Sequence, residues 1–86
     1  MPVISKFYGV VIRMLGARTL GARFHAIYGE SELIVGIDPV RVIQGDAPPG
    51  IREMVLKWAG QHQKELIAAW RRIEAGIAPL PIAPLP

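Results

Sequence analysis

The stretch ARFHAIYGE holds three residues whose groups can do acid–base or phosphate chemistry, Arg23, His25 and Tyr28. Imidazole changes charge near neutral pH and a guanidinium stays charged, so a strand that sets them side by side can bind a phosphate and move a proton. That is a starting point for RNA cleavage. Along an alternating strand Arg23, His25 and Ile27 share one face, and Phe24, Ala26 and Tyr28 the other. A ribonuclease also needs a second acid or base, and Glu30, Glu32 and Tyr28 are the nearby candidates. The competing reading is structural: a packed or paired strand histidine, with Arg23 meeting solvent or an acidic neighbour.

The remaining polar residues give weaker patterns. Two histidines, at 25 and 62, with no cysteine and no His-x-His or His-x-x-x-His spacing, define no metal site, and no cofactor is expected. His62 falls on the apolar side of a helical pattern, which predicts a packed ring whose N–H reaches a backbone carbonyl. Trp58 is expected in the core. Trp70, with Arg71 and Ile73 around it, is either core or a partner-binding anchor, since Trp and Arg dominate interface energetics. Lys6, Arg13, Arg18, Arg23 and Arg41 could track a phosphate backbone, or form a solvated rim. No phosphate-cradling, dinucleotide-binding or nucleophile-elbow motif occurs, which disfavours nucleotide hydrolysis and acyl transfer.

The bulk numbers set the scale. A chain of 86 residues makes one small domain that buries only about 60 to 65% of its unfolded surface, so a homo-oligomer or another partner would add needed stability. With 51% hydrophobic and 20% charged residues it is too apolar for disorder. No run reaches the roughly 18 apolar residues of a membrane span, and Lys6 and Arg13 interrupt the N-terminal apolar stretch, so a cytoplasmic protein without membrane contact is expected. A net charge of +3 permits RNA or DNA as a partner without requiring it.

These residues must be positioned by few elements. Val3–Met14 is rich in β-branched and aromatic residues on both alternating faces and reads as one central strand, with Gly9 a bulge. The segment GARTLGA reads as a loop. Ala22–Tyr28 and the run ELIVGID form a hairpin turning at Gly29, and VRVIQG follows the Asp38-Pro39 turn. Asp46 is expected to cap a helix entered through Pro48 and Pro49. Ile51, Val55, Trp58, His62, Leu66, Ala69 and Ile73 then recur at steps of three and four, which predicts one long helix. Such a rod outruns so small a domain, so Gly60 is the expected kink, or else the distal half packs on another molecule. Glu53 and Lys57 are spaced for an i,i+4 pair. The tail repeats IAPLP and is expected to be extended.

The fold class predicted is α+β: an antiparallel β meander of about four strands packed by a long C-terminal helix over residues 1–76, then a Pro-rich extended tail, 77–86. The start MPVISKFYGVVIRM, the FHAIYGE hairpin, the Gly45 and Pro48 helix entrance and the Trp58, His62, Glu65-Leu66 and Trp70 series resemble the bacterial domain-of-unknown-function family 4160. The resemblance implies a component of a two-gene, toxin–antitoxin-type module, partnered by a small cognate protein from the adjacent gene and acting on RNA or its translation. Where that family usually has DHNPPHFHA, this chain has RTLGARFHA, so only His25 survives, with Thr19 and Arg23 at the other histidine positions. The leading functional expectation is therefore a partner-binding protein. A ribonuclease-like toxin using Arg23, His25 and Tyr28, and a basic nucleic-acid-binding module, are the alternatives.

Overall fold

The computed structural model describes residues 2–16 and 21–86. Five strands, β1 (Val3–Phe7), β2 (Val10–Arg13), β3 (Arg23–Tyr28), β4 (Ser31–Ile37) and β5 (Val40–Asp46), form one antiparallel sheet in chain order. Two helices follow, α1 (Pro49–Gln61) and α2 (Gln63–Glu74). The class is α+β as expected, but the single strand over Val3–Met14 is two. The chain reverses at Tyr8-Gly9, whose φ values of 46° and 81° are both positive, and Phe7 pairs with Val10 across this two-residue turn. Gly9 is therefore a turn residue, and the bulge lies between Val3 and Ser5.

The other reversals follow the sequence. Gly29, at φ 57°, opens the two-residue loop that pairs Tyr28 with Ser31, and Asp38-Pro39, joined by a cis peptide, connects Ile37 to Val40. Near the end of β5 the register shifts opposite Ile34 and Val35, and Gly45 takes φ 94°. A Cβ there would collide with the carbonyl of Glu32, so both the conformation and the close strand approach require glycine.

The two faces of the sheet are built differently. Val10, Ile12, Phe24, Leu33, Val35 and Ile37 alternate toward the helices and are at most 1% exposed. Trp58 sits at the centre of that layer, its ring 5.3 Å from Phe7 and 5.6 Å from Phe24. Burying an aliphatic or aromatic side chain fully contributes about 1.5–3 kcal/mol, so this face carries most of the stability.

The helical periodicity holds, but the rod does not. Val55, Trp58, Leu66 and Ala69 are buried and Ile51, His62 and Ile73 half-buried, all as the spacing predicts. The helix is interrupted at His62, with φ −117° and ψ 23°, rather than kinked at Gly60. The interruption leaves the backbone satisfied: the His62 N–H donates to Trp58 and Ala59 carbonyls, and its own carbonyl accepts from Leu66 N–H. With the direction reset, α2 packs over β4, and Trp70 is buried at 7% exposure instead of overhanging. Asp46 does not cap α1. Its carboxylate accepts from Ala47 N–H at 2.9 Å, while the Pro48 carbonyl receives the first helical N–H groups, from Ile51 and Arg52.

The α2 helix ends in a Schellman arrangement: Gly76, at φ 76°, donates to Ile73 and Ile77 donates to Arg72. The tail is neither helix nor strand. It lies against β1 and α1, with Ile82 N–H donating to the Ile4 carbonyl at 2.8 Å and Trp58 Nε1–H to the Ala83 carbonyl at 2.9 Å. Glu53 and Lys57 are both exposed and form no ion pair; the ion pairs among the described residues are both His–Glu.

Candidate functional site

The helices pack on one side of the sheet, and no described element packs on the other. Strand pairing sets three rows there. Lys6, Val11, Ile27 and Glu32 are successive cross-strand partners in the first, and Arg13, His25, Ile34 and Gln44 in the second. In the third, Gly36 lies between Arg23 and Arg41. Of the five cations singled out in the sequence, four therefore share this face, and Arg18 lies outside the described residues, as does Thr19. Lys6 and Arg41 are exposed, Arg13 is half-buried, and Arg23 is 4% exposed and donates to the Gly21 carbonyl at 3.1 Å. The apolar Val11, Ile27 and Ile34 are half-buried between them, and Ile43 at the sheet edge is 37% exposed.

His25 sits in the middle of this face. Its Nδ1 is 3.2 Å from Glu32 Oε2, one strand across on the diagonal, and the side chains are 12% and 49% exposed. With a proton on Nδ1 the ring donates to the carboxylate and Nε2 becomes an acceptor, the orientation of a carboxylate-held general base. That Nε2, however, is buried and has no hydrogen-bond partner, as is Nε of Arg13 on the opposite strand. A general base must reach the proton it takes, at about 2.6–3.2 Å. In this conformation the ring is held at one nitrogen and closed off at the other, which suits positioning better than proton transfer.

The three residues of the expected catalytic group do not converge. Arg23 and His25 share the open face, but Tyr28, on the other face of β3, places its ring beside Gly9 at the first hairpin. Glu32 supplies the carboxylate that sequence spacing offered among several, and only the hairpin register picks it out. His62 departs from expectation: its ring lies 5.6 Å from Trp58 and its Nδ1 meets Glu65 Oε1 at 2.7 Å rather than a backbone carbonyl. Of the expected partner-binding group, Trp70 is in the core, Ile73 is half-buried, and Arg71 is exposed.

Among the described residues no three His, Asp or Glu side chains gather as a metal-holding group, and no helix is long and apolar enough to cross a membrane. No curated protein and no solved structure matches the chain. Its family is nonetheless clear from sequence, because the domain described as Domain of unknown function (DUF4160) matches residues 9–71. That span takes in β2 through most of α2, including every residue of the open face except those on β1, and the chain belongs to the DUF4160 family.

Proposed function

We propose that this chain is a binding protein that docks an acidic cognate protein, its partner in a toxin–antitoxin-type pair, on the open face of the sheet. The observation that carries the reading is the composition of that face: exposed Lys6 and Arg41, a half-buried Arg13 and a strip of aliphatic side chains on a sheet surface that no described element covers. Apolar area supplies affinity, while Lys6 and Arg41 at opposite edges favour an acidic partner and speed encounter. Docking on a five-stranded sheet also suits a small domain with limited stability of its own, since a partner that binds only the folded state stabilises it.

A nucleic-acid ligand would use the same accessible cations, Lys6, Arg13 and Arg41, which favours it as the second reading. The outward residues of β1 to β5 include no Phe, Tyr or Trp, and the His25 ring is only 12% exposed, so single-stranded recognition would rest mainly on phosphate contacts. The two readings part in one experiment. The chain is co-expressed with the product of its adjacent gene, and Lys6→Glu/Arg41→Glu is compared with wild type. Protein docking predicts co-purification with wild type and at least about a tenfold weaker complex with the double variant, from two lost or reversed charge contacts. Co-purification unaffected by the charge reversal, together with steeply salt-dependent binding of an RNA oligonucleotide, would replace the protein reading with the nucleic-acid one.

A further inference from the structure

We infer that the edge of β1 and the Trp58 indole form a recognition site for an extended Ile-Ala-Pro-Leu-Pro segment, filled by the chain's own C-terminus and exchangeable for the tail of a second copy. The tail is this pentapeptide written twice, residues 77–81 and 82–86. Both copies are held by the same two-point clamp, in which the isoleucine N–H donates to a backbone carbonyl and the alanine carbonyl accepts from a side-chain N–H. In the first copy Arg72 provides both partners: Ile77 N–H donates to its carbonyl at 2.8 Å, and its Nε–H donates to the Ala78 carbonyl at 2.8 Å. In the second copy the partners are the Ile4 carbonyl at 2.8 Å and Trp58 Nε1–H at 2.9 Å.

The side chains distinguish the two copies. Ile82 is 5% exposed and Leu85 packs partly buried against the core, whereas Ile77 and Leu80 are 50% and 62% exposed. The β1 site thus reads a backbone donor, a backbone acceptor and two apolar side chains, which is peptide recognition at a sheet edge combined with side-chain pockets. It also covers an edge strand that would otherwise present unpaired backbone groups.

A second copy of the chain carries the same segment, and exchange replaces each internal contact by an identical intermolecular one. Only the effective concentration of the tethered tail opposes it, which is in the millimolar range for a short flexible linker. The exchange point is Leu80-Pro81, between the two clamped copies, where Leu80 is 62% exposed and the first copy stays on Arg72. This inference stands apart from the open face, because β1 meets the tail at its edge.

The test uses the full-length chain, wild type and Ile82→Glu, titrated with the capped synthetic peptide Ile-Ala-Pro-Leu-Pro while the Trp58 indole N–H resonance is followed. Ile82→Glu vacates the site, so the peptide shifts that resonance saturably; wild type responds at least about tenfold more weakly because its tethered tail competes. A peptide with Glu in place of Ile gives no shift. In sedimentation equilibrium the wild-type dimer fraction rises toward about 1 mM, while Ile82→Glu stays monomeric. A folded Ile82→Glu chain that ignores the peptide, or a wild type monomeric throughout, overturns the inference. Should Ile82→Glu lose its circular dichroism, Ile82→Ala replaces it, and the wild-type concentration series decides the exchange by itself.

Discussion

The two faces of the same sheet are built from different side chains. Toward the helices, the strands present mainly buried aliphatic and aromatic side chains, half-buried at Val40 and Val42 of β5, around Trp58 and its contacts with Phe7 and Phe24. Away from them, the alternate residues of the same strands are cations, a histidine–glutamate pair and half-buried aliphatics. Strand geometry treats the two sets alike, since side chains alternate by necessity. What separates them is the cover: one face is sealed by intramolecular packing, and no described element packs on the other. Stability should therefore be concentrated on the first face and binding on the second, and substitutions can test that division.

The largest effect is expected at Trp58→Ala, which empties the centre of the covered face and removes the hydrogen bond to Ala83; about 3–5 kcal/mol of stability should go, read by chemical denaturation. Next comes Gly45→Ala, where positive φ and the Glu32 carbonyl oppose a Cβ, with a loss of about 1–3 kcal/mol or more. Lys6→Glu/Arg41→Glu, confined to exposed positions of the open face, should change stability by no more than about 0.5 kcal/mol per site and yet weaken the cognate complex about tenfold. Smallest of all is Glu32→Gln, which loosens a carboxylate half in solvent from His25; about 0.5 kcal/mol or less is expected in thermal melts. A large stability loss from the charge reversal would erase the distinction between the faces.

How much of this could be read from the sequence depends on whether the deciding interaction was local. The β3–β4 hairpin was legible because Gly29 marks the turn and the alternation around it is clean. The Tyr8-Gly9 reversal was not, because the run from Val3 to Met14 is apolar on both alternating faces and tyrosine is an uncommon residue at positive φ. The run's length, about twice a typical strand, was the available signal. The break at His62 left no mark in the pattern, since Trp58, His62 and Leu66 stay four residues apart across it. Of the two readings open for Trp70, the core one holds: with α2 redirected, Leu66, Ala69 and Trp70 all reach the core. At the open face, alternation placed Arg23 with His25 and separated Tyr28, but joining Arg13 and Glu32 to them required the register between strands.

The most direct test of the division between faces is a methyl-detected NMR titration of the isotopically labelled chain with its cognate protein. Docking on the open face predicts that Val11, Ile27 and Ile34 methyl resonances shift first and furthest, while those of Leu66 and Ile73 hold their positions. Shifts confined to Ile67, Ile73 and the rest of α2, with the outward strand methyls unmoved, would contradict it.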